Sequence, residues 1–251
     1  MKLLTRALVI AAICLACAGP AVRKGDQPQD YYEEGMTNFK NELWPESAQA
    51  FANLKSKFPY SKFAALAELR LADIKFQSEK YLESIDAYRL FVQYHPAHEE
   101  VGYAMYREAC GHFKEIQDDW FFLPPSYEKD QSEVERAARL LRDVIERYPK
   151  AAFRKDAEDK LRACNTKLAQ HDLYVARFYV QLKKWHGAAS RYEVVRGYVG
   201  GSTLEPIVLL ELGETYVKLK EKDKSRAVFA QLIERHPASE EAKVAQQRLQ
   251  E

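Results

Sequence analysis

The sequence of 251 residues is poor in the features that announce a catalyst. It carries no Gly-x-Ser-x-Gly elbow, no HExxH pair and no phosphate-cradling glycine loop. Its six histidines are scattered, and His98, His112, His171 and His186 have no partner at metal-ligand spacing. A charge excess of either sign is missing too: 38 Lys and Arg stand against 37 Asp and Glu. That balance argues against a nucleic-acid partner, which calls for a strongly basic face. Long apolar runs are also absent, and no segment beyond the N-terminal leader is apolar enough to cross a bilayer. Acid pairs such as Glu99-Glu100 and Glu240-Glu241 read as solvated helix starts. Neither an enzyme nor a cofactor is expected.

What is there begins with a leader over residues 1–16. Lys2 and Arg6 precede the short apolar stretch Leu8-Val9-Ile10-Ala11-Ala12-Ile13. Leu15-Ala16-Cys17-Ala18-Gly19 follows and looks like a lipobox, with cleavage before Cys17 and acylation of that residue. Cys14 stands where such boxes usually carry Leu, so an ordinary secretory signal or a retained anchor is the other reading. Ala18 after the Cys favours the outer membrane if the enteric sorting rule applies. Residues 17–29 read as a flexible tether, since the sequence from Val22 to Asp30 is polar, contains Pro28 and has no hydrophobic period.

One helix pattern then recurs, ended each time by the same punctuation: Phe58-Pro59, His95-Pro96, Tyr148-Pro149 and His236-Pro237. Eight residues before each Pro stands a large plug, Phe51, Tyr88, Leu141 or Phe229. Five before stand Leu54, Phe91, Val144 and Leu232, and twelve before stand the small residues Ser47, Ser84, Ala137 and Ser225. A fifth copy, with Ala188, Tyr192 and Val195, ends in Gly200. Self-similarity at this scale predicts an all-α chain, an α-solenoid of five helix pairs.

The pairs are expected at Asp30–Asn41 with Trp44–Phe58, Ser61–Gln77 with Lys80–Tyr94, His98–Ile116 with Ser132–Tyr148, Ala151–Leu182 with Trp185–Val199, and Thr203–Leu219 with Asp223–Arg235. A polar last helix, Ser239–Gln250, suits a cap. Ala48, Ala87, Ala138, Ala188 and Ala227 are expected where paired helices approach, and Trp44, Tyr81 and Trp185 at the tops of pairs. The segment from Trp120 to Pro125 falls outside the repeat, and its aromatics are expected to pack on their own repeat. Cys110 and Cys164 sit in apolar stripes. Two buried thiols and a disulfide between adjacent repeats are both open, since bridging depends on distance.

Repeats of this kind resemble tetratricopeptide repeats. Phe58-Pro59-Tyr60-Ser61, His95-Pro96-Ala97-His98 with Tyr103-Ala104-Met105-Tyr106, Arg147-Tyr148-Pro149, and Trp185 with Arg191 go further. In that order they resemble the BamD (ComL) family of outer-membrane assembly lipoproteins. The resemblance implies a non-enzymatic, lipid-anchored scaffold on the periplasmic face of the outer membrane. Residues 30–149, repeats 1–3, would receive the aromatic-ended C-terminal segments of unfolded outer-membrane proteins. Residues 150–251, repeats 4–5 and the cap, would dock the barrel-forming subunit BamA and smaller lipoproteins. Carried onto this chain, Arg191 and Trp185 are the candidate BamA contacts; the other reading of Arg191 is a solvated surface charge. Phe58, Tyr60, Arg70 and Tyr103 are the candidate substrate groove, with core packing the other reading of the aromatics. The alternative function is another periplasmic scaffold of this repeat type, serving division or peptidoglycan synthesis.

Overall fold

The computed structural model describes residues 25–116 and 125–250. The leader, Cys17 and the Trp120–Pro124 segment lie outside the described residues. Within them the chain forms eleven α-helices and a short 3-10 turn, with no strand among the described residues. The helices are α1 (Pro28–Lys40), α2 (Trp44–Lys57), α3 (Lys62–Gln77), α4 (Tyr81–Tyr94), α5 (Val101–Glu115), α6 (Ser132–Arg147), α7 (Arg154–Gln181), α8 (Trp185–Tyr198), α9 (Glu205–Lys218), α10 (Lys222–Arg235) and α11 (Glu240–Gln250). Two compact units divide between Ser78 and Glu79, with α1–α3 in the first and α4–α11 in the second. Inside each unit a helix packs chiefly on its neighbours in sequence. This is the all-α, tetratricopeptide-like fold that the repeat pattern predicts. No helix among the described residues is long and apolar enough to cross a membrane.

The aromatic-Pro punctuation has a common geometry. Phe58, His95, Tyr148 and His236 cap α2, α4, α6 and α10 with φ of -134°, -124°, -122° and -132° and ψ between 51° and 60°. The following Pro excludes the helical region for each of them. Each cap N–H still donates to the carbonyl four residues back, on Leu54, Phe91, Val144 or Leu232. Each cap carbonyl then accepts from the N–H three residues on, at Ser61, His98, Ala151 or Ser239. The fifth copy turns differently: Val199 caps α8 at φ -98° and ψ 2°, and Gly201 takes φ 74°, a left-handed value that suits glycine.

Short turns inside the helix pairs use a second device. Glu42, Lys183 and Lys220 take φ of 59°, 55° and 61° just past α1, α7 and α9. Each donates its N–H three residues back, and the next residue donates five back, as in Lys183 to Val180 and Lys184 to Tyr179, both at 2.9 Å. This pairing satisfies the last carbonyls of each helix. Two helices start three residues later than expected. The helix placed from His98 begins at Val101, because the His98 ring Nδ1 accepts from the Glu100 N–H at 3.1 Å and holds one more turn. The helix placed from Ala151 begins at Arg154, whose N–H donates to the Ala151 carbonyl.

The plugs Phe51, Tyr88, Leu141, Tyr192 and Phe229 are all buried, as are the small residues Ser47, Ser84, Ala137, Ala188 and Ser225. The alanines divide: Ala138 and Ala188 are buried, Ala48 and Ala87 half-buried, and Ala227 exposed. The close approach in the first and last pairs is made instead by glycine. A Cβ on Gly35 would lie 2.6 Å from the Phe51 ring, and one on Gly213 would lie 2.2 Å from the Phe229 ring. Cys110 and Cys164 are both buried free thiols, which closes the choice left open between thiols and a bridge. Burial pushes both thiols up, that of Cys164 to about 12.

Candidate functional site

Trp185 is the first residue of α8, placed by the left-handed turn at Lys183. It lines a cleft of about 370 Å³ with Arg177 and Val180 from α7, Tyr192 from α8, and Leu210 and Glu211 from α9. The Arg177 guanidinium grips Glu211 with two nitrogens, Nε at 3.1 Å and Nη2 at 2.7 Å. Tyr192 Oη donates to the same carboxylate at 2.9 Å. Burial, and then the Glu211 charge, push the Tyr192 phenol up, so it stays a neutral donor. The polar groups beside Tyr192 thus satisfy one another.

Arg191 stands six residues further along α8 and does not line this cleft. Its side chain is 44% exposed, and Nη1 donates to Asp172 Oδ1 at 2.7 Å. Asp172, on α7, is itself only 9% exposed. The two candidate contacts for the barrel subunit therefore share one helix but serve different surfaces. The Asp172 carboxylate fixes the direction of the Arg191 fork. An equivalent clasp joins Arg89 of α4 to Glu108 of α5 at 3.0 Å, across the same separation of 19 residues.

The four candidate groove residues divide between the units. In the first, Phe58 caps α2 and is half-buried, its ring 5.9 Å from that of Tyr31. Tyr60, in the same turn, is fully exposed at 101%. Arg70 lies two turns into α3, mostly covered, and its guanidinium engages Asp73. In the second unit, Tyr103 opens α5 with the Arg107 guanidinium 5.9 Å from its ring. Arg107 Nε also donates to Tyr88 Oη at 3.2 Å. Tyr60 is thus the most available aromatic of the set.

One cluster has no counterpart in the sequence reading. Glu205, the first residue of α9, is 2% exposed. It accepts from the Gly201 N–H at 2.7 Å, Arg235 Nη1 at 2.5 Å and His236 Nε2 at 3.0 Å. Burial pushes its carboxyl up, but the Gly201 N–H, Arg235 and His236 together outweigh it and the net direction is down. The glycine turn after α8 is thereby latched to the end of α10. His236, marked in the sequence by its place before a turn proline, is also part of this latch. The sequence signal is faint: a lone Glu four residues after Gly200-Gly201.

A family model described as "YfiO: Outer membrane lipoprotein" matches residues 24–227. Among curated proteins the chain is similar to the "Outer membrane protein assembly factor BamD" of Caulobacter vibrioides, 26% identical over 218 residues, covering 85% of this chain and 69% of that one. The protein of the same name from Rickettsia prowazekii is 26% identical over 208 residues, covering 83% and 80%. That of Xylella fastidiosa strain 9a5c is 23% identical over 246 residues, covering 94% and 83%. Among solved structures, the "TPR2AB-domain:pHSP90-complex of yeast Sti1" aligns over 88% of this chain and 82% of that chain at 11% identity and a TM-score of 0.44.

Proposed function

Because this chain belongs to the outer membrane lipoprotein family YfiO, we propose that it is a non-catalytic scaffold for assembly of outer-membrane β-barrel proteins. Acylated Cys17 anchors it to the periplasmic face of the outer membrane. Residues 150–251 dock the barrel-forming BamA-like subunit and smaller lipoproteins. Residues 30–149 receive the aromatic-ended C-terminal segments of unfolded substrates, with Phe58, Tyr60, Arg70 and Tyr103 as the receiving side chains. The observation that carries this reading is the family match over residues 24–227, with relatives named as assembly factors along most of their length.

The geometry of α8 supports the docking half. Arg191 is half-exposed and held in direction by Asp172, as a side chain should be to meet a partner carboxylate without a large ordering cost. Trp185, half-buried where it lines the cleft, offers a separate apolar contact on the same helix. On the receiving side, exposed Tyr60 and the Tyr103–Arg107 stack supply aromatic surface and cationic charge for an aromatic segment ending in a carboxylate.

The test is affinity purification of the lipidated protein from outer membranes, wild type beside Arg191→Glu, with folding checked by circular dichroism. Wild type is expected to bring the barrel-forming subunit and Arg191→Glu to lose it. Retention by both removes Arg191 from the interface. Absence of the barrel subunit from both overturns the scaffold reading in favour of a different periplasmic role.

A further inference from the structure

We infer that the cleft enclosed by α9, α10 and α11 binds an acidic segment of a partner polypeptide that carries an apolar side chain at its centre. The cleft measures about 430 Å³, inside the range of about 300–1,000 Å³ usual for ligand sites. Lys218, Lys220, Lys222, Arg226 and Arg248 line it, and Glu214 is the one carboxylate among the lining residues. Arg248 already engages Glu214, Nε to Oε1 at 2.6 Å. Among the described residues, Lys218, Lys220, Lys222 and Arg226 make no ion pair. In a chain whose net charge is only +1, this is a local excess that composition does not explain.

Helix electrostatics accounts for half of it. Lys218 and Lys220 sit at the C-terminal end of α9, where the dipole favours cations. Lys222 opens α10, where the dipole opposes a cation, and Arg226 lies one turn further on. Neither gains from the helix dipole, Asp223 is the acidic residue of that first turn, and both add like-charge repulsion to a lining that already holds Lys218 and Lys220. An anionic occupant would relieve that repulsion.

The floor decides between a bare anion and a polypeptide. Val217 and Leu249 supply its exposed apolar surface, at 44% and 37%, while Phe229 also lines it but is only 1% exposed. An inorganic anion leaves this apolar surface wet, whereas a Leu or Phe flanked by carboxylates fills the pit and meets the rim at once. A bilayer surface offers charge but no side chain to enter a recess. The proposal rests on the scaffold reading only for the existence of a protein partner in the envelope.

The experiment uses the full lipidated chain in detergent and a short fluorescent peptide with a Leu-Phe centre flanked by Asp and Glu, followed by anisotropy. Its Asn/Gln isostere and phosphatidylglycerol dispersed in the same detergent micelles serve as competing probes. The acidic peptide should bind at least about tenfold more tightly than the isostere, a difference of about 1.4 kcal/mol. Binding should weaken with added salt. Combined Lys218→Gln, Lys222→Gln and Arg226→Gln, all exposed and so benign to folding, should cost the acidic peptide about tenfold or more. Equal binding of the isostere, undiminished binding by the variant, or displacement of the bound peptide by phosphatidylglycerol overturns the proposal. If wild type captures the barrel subunit from membranes while the peptide does not bind, the cleft proposal alone fails. If wild type captures no assembly subunit, the scaffold reading fails and the peptide still decides the cleft.

Discussion

Gly213→Ala should destabilise the second unit although alanine is the better helix former. Gly213 lies in the interior of α9, and a Cβ there would stand 2.2, 2.6 and 2.8 Å from Cε1, Cδ1 and Cζ of Phe229. Carbon atoms pack at about 3.5–4.0 Å, so the ring or the helix has to retreat by about 1.3 Å. Phe229 is 1% exposed and belongs to the buried cluster with Val208, Leu209, Leu212 and Leu232, which limits how far the ring can swing. Overpacking of this kind costs about 1–3 kcal/mol, and the gain in helix propensity returns about 1 kcal/mol. With three ring atoms in conflict, the net loss is about 1–2 kcal/mol. Gly197→Ala in α8 is the control, since its added Cβ meets nothing within 4 Å. It should raise stability by about 0.5–1 kcal/mol. The assay is equilibrium urea denaturation followed by far-UV circular dichroism. Gly213→Ala combined with Phe229→Leu should lose less than the sum of the single changes, with a coupling of about 1 kcal/mol. If Gly213→Ala is as stable as wild type, or the double variant shows no coupling, the plug-against-glycine account is wrong.

Glu205→Gln should cost about 1–3 kcal/mol, because Arg235 and His236 lose a buried carboxylate partner. The folded Glu205 carboxyl is held below its ordinary 4.5, so its stabilisation is present above that value and lost as pH falls through the lower folded pKa. Urea curves between neutral and acid pH should show the variant losing part of the wild-type acid sensitivity. Cys110 and Cys164 should resist alkylation by iodoacetamide in the folded protein and react fully in denaturant. The raised Cys164 thiol keeps its proton when folded, so stability should fall as pH rises above 9.0 toward about 12, and Cys164→Ala should flatten that limb in a pH series. Lys183→Gly should stabilise by about 0.5–1 kcal/mol in thermal melts, since a side-chain-bearing residue at φ 55° pays a strain that glycine does not.

Helix ends and plugs were legible because their causes are local. A Pro after an aromatic dictates where the chain leaves the helical region, and offsets of five, eight and twelve residues place the buried side chains on one face. The contacts made by glycine were not, since Gly35 and Gly213 reveal their role only against Phe51 and Phe229 on the next helix. The carboxylates Glu108, Asp172 and Glu205 look like solvated charges in one dimension. They are buried because a cation 19 or 30 residues away reaches each of them. Trp185 and Arg191 were marked together by sequence, yet a helix of 3.6 residues per turn points them to different surfaces. The basic cleft draws on three helices, with Arg248 contributed 30 residues after Lys218, so no sequence window contains it. A charge balance near zero also conceals it, because Glu221 and Asp223 alternate with its lysines in sequence without lining the cleft.

The central claim, a role in assembling outer-membrane β-barrels, is tested most directly by depletion. The protein is withdrawn from cells, and newly made outer-membrane β-barrels are pulse-labelled and scored for the protease-resistant folded form. The account predicts that unfolded barrels accumulate in the periplasm, and that wild type restores folding better than Arg191→Glu at equal abundance. Barrel folding at the normal rate and yield in depleted cells would contradict it.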